Sequence, residues 1–96
     1  MEYLVSYDVD TTTTEGERRL RKVAKICEGY GVRVQKSVFE LMISAAQLVK
    51  FEHELRQAID AKKDSIRLYR VPAQSLARAR HLGIAQPVDH HSDHIL

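Results

Sequence analysis

Two stretches of the chain hold the side chains able to do chemistry. The first is Gly31-Val32-Arg33-Val34-Gln35-Lys36-Ser37-Val38-Phe39-Glu40, which sets Arg, Gln, Lys and Ser among Val and Phe. Its character is extended, yet one face is too polar to be only core. The second is Tyr7-Asp8-Val9-Asp10, where two carboxylates close the first apolar run. Carboxylates at a strand end suit a divalent metal, and a basic, hydroxyl-bearing strand suits a polyanion.

The net charge of +2 conceals an asymmetry. Arg18, Arg19, Arg21, Lys22, Lys25, Arg33 and Lys36 fall between positions 18 and 36, against one acid, Glu28. Such an excess is either a polyanion surface or the solvated face of a helix. The candidate nucleic-acid contacts are Arg18, Arg19, Arg21, Lys22, Lys25 and Lys36. The one cysteine, Cys27, lies on the apolar face of a predicted helix with nothing basic beside it there. It reads as a small buried hydrophobe, and a lone thiol suits a reducing cytoplasm. Among the first 71 residues the one histidine is His53. It falls on a predicted helix as a surface residue, so a histidine general base is not expected.

Six elements are needed to position these groups. Glu2 to Asp8 alternates as a strand, with Tyr3, Val5 and Tyr7 on one face and Leu4, Ser6 and Asp8 on the other. Thr11 to Thr14 is a polar loop, and Thr14-Glu15-Gly16-Glu17 has the form of a capping box. Leu20, Val23, Ala24, Cys27 and Tyr30 then keep helical spacing, and Gly29 with Gly31 supplies the stop. Val32 to Ile43 reads as two short strands joined near Lys36-Ser37, or as one long bent strand. Ser44-Ala45-Ala46-Gln47 is a second capping box, opening a helix marked by Leu48, Phe51, Leu55, Ala58 and Ile59 that ends near Ala61. Lys62-Lys63-Asp64 makes a turn, and Ser65 to Val71 is the last strand, closed by Pro72.

The order β-α-β-β-α-β is the split βαβ, or ferredoxin-like, arrangement: an α+β fold with a four-stranded antiparallel sheet and both helices on one face. The uncovered face calls for solvent, a tail or a second copy of the sheet. For 96 residues, a sheet-to-sheet homodimer is the economical solution. No apolar run approaches the roughly 20 residues of a membrane span, and Met1 to Val5 lacks the basic n-region of a secretory signal. The core is expected over positions 1–71, with an extension at 72–82 packing at the dimer edge. A flexible tail is expected over 83–96, where Asp89, His90, His91, Asp93 and His94 have a weakly metal-chelating composition.

The Tyr7-Asp8-Val9-Asp10 strand end, the Arg-rich first helix running into Gly31, the Arg33-Val34-Gln35-Lys36-Ser37-Val38-Phe39-Glu40 block and Asp64-Ser65-Ile66-Arg67-Leu68-Tyr69 together resemble the CRISPR-associated Cas-two (Cas2) family. The resemblance implies a ferredoxin-like homodimer of the bacterial or archaeal cytoplasm, working in spacer acquisition. It also implies a Mg²⁺- or Mn²⁺-dependent endonuclease acting on RNA or double-stranded DNA, and an adaptor for the Cas-one integrase. By the same resemblance Asp8 matches the acid at the end of the first strand that serves as metal ligand, and Tyr7 matches the aromatic before it. Arg33 and Phe39 match block residues linked to activity, and Arg18, Arg19 and Arg21 carry over only as a group.

Phosphodiester hydrolysis needs an activated water and neutralisation of charge on the phosphoryl oxygens, both of which one metal supplies. A single Asp8 makes a poor Mg²⁺ site. Two Asp8 side chains meeting near a dimer axis make a better one, with Asp10 in the outer shell or facing solvent. Ser37 is placed to hydrogen-bond a phosphate or to satisfy its own bend. Asp8 itself has a second reading, as a turn-forming acid before the Thr loop. Two functional classes follow: a metal-dependent phosphodiesterase, or a non-catalytic dimeric adaptor that binds duplex DNA and the integrase. An acylphosphatase-like reading ranks last, because the loop after the first strand carries Asp10 and threonines where an anion cradle needs glycines.

Overall fold

A computed structural model of the chain describes residues 1–84. The tail expected from position 83, with Asp89, His90, His91, Asp93 and His94, lies outside the described residues except for its first two positions. The elements run β1 (Glu2–Asp8), α1 (Thr14–Tyr30), β2 (Gly31–Gln35), β3 (Val38–Met42), α2 (Ala45–Ala58) and β4 (Ser65–Val71), followed by a short 3-10 turn at Leu76–Arg78. The sheet order is β2-β3-β1-β4 with every neighbouring pair antiparallel. This is the ferredoxin-like arrangement expected of the sequence.

The alternation in β1 partitions the molecule. Tyr3, Val5 and Tyr7 are buried with Phe39 and Leu41 of β3, Val23 and Cys27 of α1, and Phe51 and Leu55 of α2. Both helices therefore cover one face. Leu4, Ser6 and Asp8 point to the other, where Met42 is 73% and Tyr69 is 43% exposed. The register sets Val5 opposite Phe39 and Leu68, and Asp8 opposite Ser65.

The helix ends are set by local chemistry. In α1 the N-cap is Thr13, whose side chain accepts from the Gly16 amide at 3.0 Å. The cap expected at Thr14 thus moves back one residue. The reciprocal arm of a capping box is then missing, because the third helical position is Gly16, which has no side chain. What Gly16 supplies is room: a Cβ there would stand 1.9 Å from the Asp10 carbonyl oxygen. At its other end α1 passes directly into β2, with the Gly31 amide donating to the Cys27 carbonyl. For α2 the Ser44 box forms with both arms, Gln47 N to Ser44 Oγ at 3.1 Å and Ser44 N to Gln47 Oε1 at 2.9 Å.

α2 stops at Ala58 rather than near Ala61. The Asp60 amide donates to Asp64 Oδ2 at 2.8 Å, and Asp60 Oδ1 accepts from the Lys62 amide at 2.9 Å, so side chains draw the backbone out of the helix. Between β2 and β3 the chain turns at Lys36-Ser37, and a register shift between Arg33 and Gln35 leaves Val34 as the extra residue of a bulge. The reading of two short strands therefore holds over one long bent strand.

Candidate functional site

Asp8 ends β1 on the sheet face that the helices leave open, and its side chain makes no ion pair or hydrogen bond among the described residues. Its two flanks are fixed. On one side it is in register with Ser65, the first residue of β4. On the other, Tyr7 ties down the β2–β3 turn: its amide donates to the Ser37 carbonyl at 3.1 Å and its hydroxyl to the Lys36 carbonyl at 3.3 Å. The exposed Lys36 and half-buried Ser37 are thereby brought to the end of the strand that carries Asp8.

Beyond Asp8, Val9 is buried and Asp10 is spent on the turn. The Asp10 carboxylate accepts from Thr12 Oγ1 at 2.7 Å and the Thr12 amide at 2.9 Å. These two donors hold its carboxyl below the ordinary carboxylate range. The turn-forming acid before the Thr loop is thus Asp10, and Asp8 is left free.

Arg19 does not join the basic surface. Its Nε donates to Asp64 Oδ2 at 2.7 Å, and its side chain is 17% exposed against 0% for that of Asp64. Burial pushes the Asp64 carboxyl up, but the Arg19 guanidinium and the Asp60 and Asp10 amides outweigh it and hold the group low. Arg18, Arg21, Lys22 and Lys25 remain exposed along α1, and His53 is exposed on α2.

Tyr7, Arg33 and Phe39 form a cluster on the helix-covered face. The Arg33 guanidinium lies 5.1 Å from the Phe39 ring centroid, its Nη2 is 3.4 Å from the Tyr7 hydroxyl, and its Nη1 is 3.9 Å from Glu28 Oε2. Phe39 is fully buried and stacks with Tyr7 at 6.1 Å. Burial raises the Tyr7 phenol above its ordinary pKa despite Arg33, and pushes the Cys27 thiol up to about 12. The sheet separates this cluster from the Asp8 carboxylate, so the site residues named from sequence fall into two groups. Asp8 on the open face is one and Tyr7 with Arg33 and Phe39 is the other, while Lys36 and Ser37 sit on the turn at that end of the sheet, Ser37 at the position opposite Tyr7.

The donor set of one chain is short for a metal. Among the described residues no group of three or more His, Cys, Asp or Glu side chains is placed to hold an ion. Mg²⁺ accepts one or two carboxylates and keeps its waters, so an exposed, unpaired Asp8 fits that ion where a second carboxylate joins it.

The geometry can be set beside known proteins. The family model described as CRISPR associated protein Cas2 matches residues 1–79. The chain belongs to the Cas2 family. A Cas2 relative from Moorella thermoacetica, named CRISPR-associated endoribonuclease, is 44% identical over 89 residues, 93% of either chain. One from Halalkalibacterium halodurans, named CRISPR-associated endonuclease, is 44% identical over 86 residues, 90% of either chain. The crystal structure of Streptococcus pyogenes Cas2 superposes with a TM-score of 0.78 at 49% identity, covering 86% of this chain and all of that one.

Within this Cas2 fold, two acids escaped the sequence reading as functional residues: Asp64, next to the partner of Asp8 in the ladder, and Glu2, at the opposite end of β1. Asp64 marked only the start of a strand motif, although the Asp60-to-Asp64 spacing across a turn was a visible signal for side-chain capping. Glu2 gave none. Its carboxylate accepts from the amides of Gln74 and Leu76, the latter at 2.9 Å, and these bonds lower its pKa. None of the described helices is long and apolar enough to cross a membrane.

Proposed function

We propose that this chain is a metal-dependent endonuclease of CRISPR spacer acquisition, acting in the cytoplasm on RNA or double-stranded DNA as a homodimer joined through its open sheet faces. The observation that carries the reading is the Asp8 carboxylate: exposed, unpaired and flanked at the end of a central strand. A free acid held on a rigid element, beside a turn bearing Lys36 and Ser37, suits the binding of a cation against a phosphate. Exposed Met42 and Tyr69 supply the apolar surface that a second copy would cover, bringing a second Asp8 toward the first.

In this arrangement the two Asp8 side chains hold one Mg²⁺ or Mn²⁺, which when bound supplies water activation and charge neutralisation. Lys36 attracts the phosphate backbone and Ser37 donates to a phosphoryl oxygen. Arg18, Arg21, Lys22 and Lys25 bind the flanking phosphates without reading sequence. Tyr7, Arg33 and Phe39 act from behind the sheet, by fixing the strand and turn that present Asp8. The test compares wild type and Asp8→Asn on single-stranded RNA and duplex DNA with Mg²⁺, Mn²⁺ or chelator, and measures duplex binding alongside. Metal-dependent cleavage lost in the variant with binding retained supports the reading. Equal cleavage by both proteins overturns it.

The exposed basic row on α1 also favours a second reading, a non-catalytic adaptor that binds duplex DNA and docks the Cas-one integrase. Under it, neither protein cleaves and both bind duplex equally.

A further inference from the structure

We propose that Asp64 is a positioning residue for Asp8, acting through Arg19 and the backbone of Asp10; the inference rests on the reading of Asp8 as the catalytic carboxylate. The Asp64 side chain has no exposed surface, yet it is charged and uses both oxygens. Oδ1 accepts from the Asp10 amide at 3.1 Å and Arg19 Nη2 at 3.4 Å, and Oδ2 accepts from Arg19 Nε at 2.7 Å and the Asp60 amide at 2.8 Å. Arg19 Nη2 also reaches the Asp10 carbonyl at 3.5 Å. The Asp10 residue is therefore held at its N–H by Asp64 and at its C=O by Arg19. Gly16 lies so close to that carbonyl that any larger residue would displace it.

Three consecutive residues are fixed in this way. Asp8 is in the ladder opposite Ser65, Val9 is buried, and Asp10 is clamped by Asp64, the residue preceding Ser65. The start of β4 thus sets both ends of the segment whose exposed member is Asp8. A carboxylate at the last residue of a strand would otherwise swing with the loop that follows. Sharing an ion with a second carboxylate requires its oxygens to stay within a few tenths of an ångström, so the exposed ligand needs a rigid backbone behind it. A buried, bidentate ion pair with two further amide donors supplies that rigidity. A pair serving the fold alone has no need to grip the loop that carries the site.

The test uses the full-length dimer at a temperature where circular dichroism shows each variant fully folded. Asp64→Asn keeps the size and removes the charge. It is expected to raise the exchange rate of the Asp10 amide about tenfold or more, and to lower kcat by about 10–100-fold with KM for the nucleic acid nearly unchanged. Mn²⁺ binding should weaken in parallel with kcat. Arg19→Lys, which keeps the charge but loses the fork, should fall between wild type and Asp64→Asn and carries the same comparison if Asp64→Asn fails to fold. The proposal is overturned if kcat and Mn²⁺ binding of these variants match wild type, whether or not Asp10 exchange rises. Asp8→Asn run in the same assay separates the two claims: if it cleaves like wild type, the reading of Asp8 and this inference both fail. If it is inactive while Asp64→Asn and Arg19→Lys match wild type, only this inference fails.

Discussion

Arg33 Nη2 lies 3.4 Å from the Tyr7 hydroxyl, on the opposite side of the sheet from the carboxylate of the next residue, Asp8. The guanidinium is held over Phe39 and beside Glu28, with its Nε buried and unpartnered. It is an internal brace of the strand pair and faces away from the open surface.

Arg33→Lys should therefore act on stability. Removing the planar stack and the hydrogen bond to the Tyr7 hydroxyl is expected to cost about 1–2 kcal/mol in urea unfolding. The salt dependence of duplex binding should not change. A drop of about one in the slope of log K against log salt would instead mark Arg33 as a phosphate ligand.

The basic residues of α1 should divide the same way. Replacing Arg18, Arg21 and Lys22 together by Ala is expected to weaken duplex binding evenly across sequences and to flatten its salt slope by about 0.9 for each phosphate that the variant leaves unneutralised. Arg19→Ala should cost fold stability, because it leaves the Asp64 carboxylate, whose side chain has no exposed surface, without its cation. Titrations of binding at several salt concentrations, with parallel urea melts, check both.

Much of this was legible in the sequence. The period-2 alternation of β1 and β4 and the Ser44 capping box are local patterns, and they led to the observed strands and to the start of α2. The failures came where tertiary contacts overruled local ones. Thr14 has the capping-box spacing, but the close approach of Gly16 to the Asp10 carbonyl places the cap at Thr13. Arg19 has the composition of its basic neighbours, and only the return of the chain at Asp64, 45 residues later, turns it inward. Asp8 and Arg33 were legible as special. Their placement on opposite faces follows from the β2 register, in which Arg33 pairs with the buried Phe39, and a bulged strand hides its register from sequence.

Glu2 predicts a pH dependence. Amide donation from Leu76 and Gln74 lowers its carboxyl pKa below the ordinary 4.5. A depressed folded-state value means that the contribution to stability is complete above the ordinary pKa and is lost as pH falls through the folded one. Below about pH 4.5, toward that folded value, the segment carrying Leu76 should loosen from β1. Glu2→Gln should mimic this at neutral pH, seen as faster tryptic cleavage at Arg78 and Arg80. Identical cleavage of the two proteins would show that the carboxylate does not hold the segment.

The central claim is that Asp8 is a metal ligand completed by a second copy of the chain. Its most direct measurement is the stoichiometry of Mn²⁺ binding, followed by electron paramagnetic resonance, in full-length wild type and Asp8→Asn. Both proteins carry the same histidines, so any difference between them belongs to Asp8. The account predicts one additional ion per two chains in wild type, absent from the variant. Equal binding by the two proteins would contradict it.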